Sequence, residues 1–205
     1  MRSNHEHDPF GTKGDANVTA IADACRALTQ GATDDAPAII TSRYPFEAIA
    51  KAGRRYSEVE MMGVFTRDCF IDRYSGAKLV FPGVLRLLSV IMPAEFPFHP
   101  NWKTVACHPA YWDLFPTIDH VVPVARGGAD DESNWATASM LSNAAKANWT
   151  IEELGWRLHP AGLMDDWDGL VGWFLDYCTA HPEVVAKSPY LRRWWRAVQQ
   201  VRKPG

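Results

Sequence analysis

Residues 117–148 decide the fold, and they read TIDHVVPVARGGADDESNWATASMLSNAAKAN. The first seven residues are rich in β-branched side chains and predict a short strand. The segment 125–134, ARGGADDESN, predicts a loop that turns at the Gly-Gly pair. WATASM at 135–140 suits a second strand, and LSNAAKANW at 141–149 is rich in helix-forming residues. The order strand, loop, strand, helix predicts a small α+β core.

Polar side chains in this stretch suit the hydrolysis of a phosphodiester bond. A water molecule must be deprotonated near neutral pH, which is the task of a histidine such as His120. A hard divalent cation must neutralise the phosphate, and it prefers the oxygen ligands that Asp119 and Asn143 supply. Neighbouring strand residues point to opposite faces, so Asp119 would reach the metal from the strand edge while His120 faces the substrate. The first turn of the following helix can bring Asn143 beside Asp119.

The same residues resemble the ββα-metal motif of the HNH endonucleases. That family has Asp-His on the first strand, Asn in the loop, and His or Asn on the helix. The three signature positions here are His120, Asn134 and Asn143, an H-N-N variant. The resemblance implies an α+β fold with a ββα-metal core and flanking N- and C-terminal helices.

The resemblance also implies a role for each residue. Asp119 and Asn143 would bind one divalent cation, Mg²⁺ with Mn²⁺ as the alternative, and His120 would activate the water. Asn134 would hold the loop and orient His120. Two basic residues of the motif, Arg126 and Lys146, would contact flanking phosphates. The substrate would be DNA, and the products would carry 5′-phosphate ends.

Many family members carry a zinc ribbon, and this chain has no cysteine at the corresponding positions. DRYSG at 72–76 and SMLSN at 139–143 stand where such members have C-x-x-C pairs. The four zinc positions would be Asp72, Ser75, Ser139 and Ser142. Because a structural zinc site needs thiolate or imidazole ligands, we expect no structural zinc. Our hypothesis is that aromatic packing replaces it, by Tyr74, Trp112, Phe115 and Trp135.

Composition sets wider limits. The chain has 205 residues, four scattered cysteines and a net charge of −3. The cysteines lack C-x-x-C spacing and are expected to be reduced thiols. The charge is weak evidence against a nucleic-acid partner, since phosphate backbones favour basic surfaces. No apolar run could span a membrane and no signal peptide is apparent, so we expect a soluble, cytoplasmic protein.

The N-terminal half contains two further helical patterns. Residues 1–16 are polar and aperiodic and are expected to be disordered, whereas 17–30 predict a short helix. Residues 57–70 predict another helix, and Ser57 with Glu60 forms a capping-box signature at its start.

The remaining apolar segments are less specific. Residues 84–92 predict either a helix or a buried strand. Residues 163–180 and 188–201 predict two helices. We therefore divide the chain into an N-terminal segment, a nuclease domain and a C-terminal helical extension, at 1–40, 41–160 and 161–205.

Two other features have competing interpretations. The acidic residues Asp130, Asp131 and Glu132 are expected to form a solvated loop. Trp194 and Trp195 lie among arginines and either contact nucleic acid or pack in the core, which the pattern does not decide.

Three other functions are compatible with the motif. The first is an RNA-directed nuclease, since the core does not encode which nucleic acid enters. The second is a DNA-binding module that has lost cleavage, which an intact His120 disfavours. The third is a toxin or antiphage effector that uses the same chemistry.

Overall fold

A computed structural model describes residues 9–46 and 55–202 of the chain. Its contacts divide the chain into two compact units, residues 1–52 and 53–205. The first unit contains α1 (Pro9–Thr29) and α2 (Asp35–Arg43). The second contains α3 (Glu58–Arg67), α4 (Pro82–Ile91), α5 (Ala110–Asp113), β1 (Pro116–His120), β2 (Trp135–Ser139), α6 (Met140–Lys146), α7 (Val171–Ala180), α8 (Pro182–Lys187) and α9 (Pro189–Val201). The described residues are thus α+β, and in the second unit helices pack around a small antiparallel sheet.

The first unit is a helical hairpin with a seam of small residues. Ala20, Ala24 and Ala27 are buried on α1, and Ala36 is buried on α2. Helix α1 begins at Pro9, so residues 9–16 are helical although we expected disorder there. Once a helix is nucleated, adding residues costs little, which explains the extension. The rest of that prediction, residues 1–8, lies outside the described residues.

The core of the second unit is aromatic. Phe65, Phe81, Phe174 and Trp194 pack together from α3, the start of α4, α7 and α9. The ambiguous run at 84–92 forms a helix, α4, with a proline in its first turn where a missing N–H costs nothing.

The predicted elements on either side of the sheet differ in how closely they match the structure. The capping box of Ser57 and Glu60 is present at the start of α3, as predicted. Helix α7 begins at Val171 rather than at 163, because Gly169 and Leu170 have φ of 69° and 66° and interrupt the helical path.

The two strands and α6 follow one another closely. β1 and β2 are antiparallel, with His120 opposite Trp135 and Pro116 opposite Ser139. The Ser139 hydroxyl then accepts a hydrogen bond from the Ser142 N–H at 3.0 Å, which caps α6. The predicted order of strand, loop, strand and helix is therefore present.

Two buried aspartates complete the outer edge of β2. Asp68 accepts a hydrogen bond from Thr137 N at 2.8 Å, and Asp72 accepts one from Ser139 N at 3.0 Å. Arg73 N donates to Thr137 O at 2.8 Å. A sheet of two strands is barely stable alone, so these contacts take the place of a third strand.

The compact units differ from the division we predicted at residues 40 and 160. The residues 161–205 do not separate from the strands, because α9 packs on α3 and α4 within one core. Among the described residues, no helix is long and apolar enough to cross a membrane.

Candidate functional site

The end of β1 presents Asp119 and His120 to different neighbours. Both residues are largely buried, with 8% and 7% of their surface exposed. Asp119 faces Tyr74 and Lys146, whereas His120 faces the loop between the strands. The predicted opposite orientation of the two side chains follows from the strand geometry.

One oxygen of Asp119 is fully engaged. Asp119 Oδ2 accepts a hydrogen bond from the Tyr74 hydroxyl at 2.6 Å and lies 3.0 Å from Lys146 Nζ. Burial and the neighbouring Asp119 carboxylate raise the pKa of Tyr74, so the phenol keeps its proton and donates. Asp119 Oδ1 accepts no hydrogen bond from any described residue, which leaves it available to a cation.

Lys146 holds the strand end from beneath. Its side chain is 0% exposed, and Nζ also donates to His120 O at 2.7 Å. We expected Lys146 to contact a flanking phosphate, but its ammonium does not reach the surface. The structure instead makes it the counter-charge of Asp119 and the anchor of the His120 backbone.

Asn143 lies against β1, as its place in the first turn of α6 suggested. Its Nδ2 donates to Thr117 Oγ1 at 3.0 Å and is 3.4 Å from Ile118 O. The Thr117 hydroxyl spends its own hydrogen on Ala138 O at 3.0 Å, so it must accept from the amide. This fixes the orientation of the amide, and Asn143 Oδ1 receives no hydrogen bond within the described residues.

His120 is oriented by a carboxylate of the loop. His120 Nε2 lies 2.7 Å from Asp130 Oδ1, and the same oxygen is 3.3 Å from both Trp135 Nε1 and Tyr56 Oη. Trp135 Nε1 also lies 3.1 Å from His120 Nε2. A carboxylate can only accept, so the hydrogen lies on Nε2. That nitrogen then cannot accept from the indole N–H, which is left to Asp130. His120 Nδ1 then carries the lone pair, and no described residue donates to it.

We expected Asp130 to be part of a solvated loop, but it also contacts His120. Its side chain is 44% exposed, yet it binds the ring that the motif predicts to be the base. The hydrogen bond from His120 is the main cause that lowers the pKa of Asp130, and bonds from Trp135 and Tyr56 act in the same direction. Asp131, beside it, caps a turn by accepting a hydrogen bond from Ser133 N at 2.9 Å.

Asn134 holds the loop, but no hydrogen bond joins its side chain to the His120 ring. Its Oδ1 accepts from Val122 N at 2.9 Å, and its Nδ2 donates to Val122 O and Ala129 O, both at 2.8 Å. Gly128 completes this close packing, since a Cβ there would lie 1.9 Å from Val122 O. Asn134 thus shapes the loop that carries Asp130, and the orienting contact comes from Asp130.

Arg126 lies at the edge of the same loop. Its guanidinium forms an ion pair with Glu153 at 2.7 Å and lies 5.6 Å from the Trp149 ring centroid. The side chain is 35% exposed, so it reaches the surface near the site.

The four positions that the resemblance assigned to zinc ligands are Asp72, Ser75, Ser139 and Ser142. The three serines contact the carboxylate of Asp72. Asp72 Oδ2 accepts from Ser139 N at 3.0 Å, and Oδ1 accepts from Tyr74 N at 2.9 Å and Ser75 N at 3.2 Å. Burial alone would raise the pKa of Asp72, but the hydrogen bonds from Ser142, Ser139 and Tyr74 outweigh it and lower the pKa. These four residues, which we call the Asp72 knuckle, are thus held together by the buried Asp72 carboxylate and its hydrogen-bond donors.

The aromatic rings that we expected to replace the zinc do not form one cluster. Trp112 and Phe115 both contact Trp102, with centroids 6.1 and 5.0 Å apart. Tyr74 and Trp135 lie outside that cluster. The hydrogen bonds of Asp72, and not ring packing, connect the knuckle to β2.

The tryptophan pair of α9 packs inward. Trp194 is 2% exposed and contacts Phe65 and Phe81, and Trp195 is half-buried against Phe174. Trp194 therefore belongs to the core and is not available to stack on a base.

Sequence reasoning missed three contributors to the site: Tyr56, Tyr74 and Asp130. A signal existed for Asp130, because a hairpin that pairs His120 with Trp135 returns its loop to the histidine. Tyr56 and Tyr74 are 64 and 45 residues from their partners in the chain, and no local pattern announces those contacts.

Comparisons with protein families, curated proteins and solved structures found no match to this chain. The described residues contain no group of three His, Cys, Asp or Glu side chains that could hold a metal ion. A cation at this site would therefore have few protein ligands, with Asp119 and Asn143 as the candidates.

Proposed function

We propose that this protein is a metal-dependent endonuclease of the HNH kind that hydrolyses DNA phosphodiester bonds. The observation that carries the proposal is the state of His120. Its Nε2 is hydrogen-bonded to Asp130, and its Nδ1 is left as an acceptor. Asp119 is the preceding residue on β1, and Asn143 lies on α6, which contacts β1 at Thr117. Each of these two side chains has one oxygen that accepts no hydrogen bond from a described residue. Hydrolysis of a phosphodiester requires a base with a fixed tautomer and hard oxygen ligands, and here these are carried by adjoining residues of one strand and by the helix packed on it.

In this proposal His120 Nδ1 removes a proton from a water molecule. The water oxygen attacks the phosphorus in line, the bond from phosphorus to the 3′ oxygen breaks, and the leaving 3′ oxygen takes a proton from solvent. The products carry a 3′ hydroxyl and a 5′ phosphate. Asp130 stabilises the imidazolium that forms on His120, as a carboxylate does behind a histidine base. Asn134 keeps the loop in place so that Asp130 stays within hydrogen-bond distance.

The residues at the strand end fit a Mg²⁺ ion. Asp119 Oδ1 and Asn143 Oδ1 would hold it, since both are hard oxygen donors without another partner among the described residues. The ion would supply positive charge for the phosphate and the leaving 3′ oxygen. Mg²⁺ commonly keeps most of its ligands as water and substrate phosphate, which agrees with two protein ligands.

Basic residues would complete the site in different ways. Lys146 would position Asp119 by binding Oδ2, and Arg126, whose side chain reaches the surface, would contact a flanking phosphate. We place the activity in the cytoplasm, in keeping with four cysteines that are all free thiols.

Plasmid cleavage by wild type and by His120→Ala, with Mg²⁺, Mn²⁺ or EDTA, tests the proposal. Wild type should nick or linearise the plasmid only with metal, and the variant should lose this while keeping its circular dichroism spectrum. His181→Ala, which removes an exposed histidine on the C-terminal side, is the matched control and should cleave normally.

Other results would point to the other functions. Cleavage of RNA alone in a matched set of substrates would make the protein a ribonuclease. A protein that binds DNA but stays inert with every metal would be a binding module. Toxicity on expression that His120→Ala abolishes would favour a toxin or an antiphage effector.

A further inference from the structure

The positive charge of this acidic protein is concentrated at one end of the chain. Residues 184–205 contain six Lys and Arg and no acidic residue, which leaves 15 basic against 24 acidic residues in the remainder. Arg192, Arg193 and Arg196 lie on α9, within about one third of the helix circumference at 100° per residue. This face is opposite the buried Leu191, Trp194, Ala197 and Val198.

The arginines of this face differ in how far they are engaged within the protein. Arg193 and Arg196 are exposed, and Arg196 makes no ion pair within the part of the chain that the structure describes. Arg192 donates to Ala186 O, and Arg193 pairs with Glu58 at 2.5 Å.

The pair between Arg193 and Glu58 connects this face to the candidate active site. Glu58 is two residues after Tyr56, whose hydroxyl lies 3.5 Å from His120 Nε2. Adding the reach of these side chains and two steps of backbone, Arg193 lies at most about 25 Å from His120. Along one strand of a duplex this distance covers roughly seven phosphates.

We propose that Arg192, Arg193 and Arg196 form a basic ridge that binds the phosphate backbone of double-stranded DNA beside the cleavage site. The proposal rests on the nuclease function proposed above. Guanidinium groups suit phosphate oxygens, and their charge complements the duplex. A single strand would need exposed rings for its bases, and Trp194 of this helix is in the core. The ridge therefore contributes affinity without sequence preference.

Binding of a fluorescein-labelled 20-base-pair duplex in EDTA tests the ridge, using full-length His120→Ala so that no cleavage can occur. Arg192→Gln/Arg196→Gln in this background should weaken Kd about tenfold at 0.1 M salt and lower the slope of log Kd against log salt by about two. The control, Lys103→Gln/Arg157→Gln, removes the same charge from exposed residues outside the ridge and should change Kd less than twofold.

Arg196→Glu provides a second variant, since the exposed Arg196 makes no hydrogen bond or ion pair with a described residue and its replacement should not disturb the fold. It should weaken binding at least as much as one glutamine substitution does. Equal effects of the ridge and control variants, or no binding of the duplex by the parent protein, would overturn the proposal. Tighter binding of single-stranded DNA or of duplex RNA, lost in the ridge variants, would overturn the choice of partner. If the ridge binds DNA while wild type never cleaves it, the nuclease function fails and the ridge stands.

Discussion

Asp72 and Asp119 are both buried carboxylates beside the same two strands, and they differ in how completely they are bound. Asp72 is 1% exposed, and both of its oxygens accept hydrogen bonds from backbone amides. Asp119 is 8% exposed, and its contacts with the described residues are made through Oδ2, toward Tyr74 and Lys146. A carboxylate with every lone pair engaged holds structure together, whereas one with an open oxygen can bind a ligand.

The comparison indicates that Asp72 supports the fold, whereas Asp119 keeps one oxygen open to a ligand. The Asp72 knuckle, made of Asp72, Ser75, Ser139 and Ser142, ties the start of α6 to the chain before α4. At the end of β1, Asp119 Oδ1 and Asn143 Oδ1 accept no hydrogen bond from a described residue, and His120 follows Asp119 on the strand. The predictions below test whether the two carboxylates really differ in this way.

The largest effect is expected at Asp119. Asp119→Asn should lower the cleavage rate about 10²–10³-fold, or about 3–4 kcal/mol, because the proposed metal ligand loses its charge. It should also destabilise the fold, because Lys146 is left buried without a counter-charge. Plasmid cleavage and urea unfolding measure the two effects.

The double variant Asp119→Asn/Lys146→Met separates those effects. Removing both charges should restore much of the free energy of unfolding, since an apolar side chain of similar size suits the buried position. Cleavage should stay lost. Recovery of cleavage in the double variant would show that Asp119 serves only to balance Lys146.

Asp72→Ala should cost stability and little chemistry. We expect a loss of about 3 kcal/mol in the free energy of unfolding, because the buried N–H groups of Ser139 and Tyr74 lose their acceptor. Cleavage per folded molecule should stay close to wild type. Asp165→Ala, at an exposed acid that makes no hydrogen bond or ion pair with a described residue, is the control for urea unfolding. A folded Asp72→Ala protein that is inactive would contradict the separation.

Asp130→Asn should slow cleavage about 10- to 100-fold, because the amide cannot stabilise the imidazolium on His120 as a carboxylate does. The effect should fall on kcat and leave KM nearly unchanged. Asp131→Asn, which removes the same charge one residue away, should be close to wild type. A rise in KM with unchanged kcat would assign Asp130 to substrate binding instead.

Ala147→Gly should stabilise the protein by about 1 kcal/mol. Ala147 follows Lys146 with φ 47° and ψ −122°, a conformation that favours glycine. Thermal unfolding measures the gain, and Ala145→Gly within α6 should destabilise by a similar amount. A loss of stability at Ala147 would show that the methyl group packs better than the backbone conformation suggests.

The smallest effect is expected in acid. The pKa of Asp72 is lowered in the fold, so its ionised form contributes stability above the unfolded pKa, about 3.9 for an aspartate. That contribution is lost as the pH falls through the folded pKa. Asp72→Asn should therefore show a shallower loss of stability than wild type below about pH 4. Urea midpoints measured from pH 6 to pH 3 would show it, and parallel curves would contradict it.

Much of the strand and helix order could be predicted because it is written in local patterns. The β-branched run at 117–123, the Gly-Gly turn and the helix formers after Ser139 each act within a few residues. The choice between helix and strand at 84–92 could not be made this way, since packing against α7 and α9 decides it.

By itself the sequence determined the succession of strand, loop, strand and helix, and with it the approach of Asn143 to the strand of Asp119 and His120. It did so because short connections leave few ways to place neighbouring elements. Only the tertiary structure decided that Asp130 holds His120, that Lys146 is buried against Asp119, and that Trp194 faces the core. Those outcomes depend on side chains far apart in the chain, such as Tyr56 and Tyr74, and on which oxygens and nitrogens remain unpaired after packing. No local periodicity encodes that balance of hydrogen bonds and buried charge.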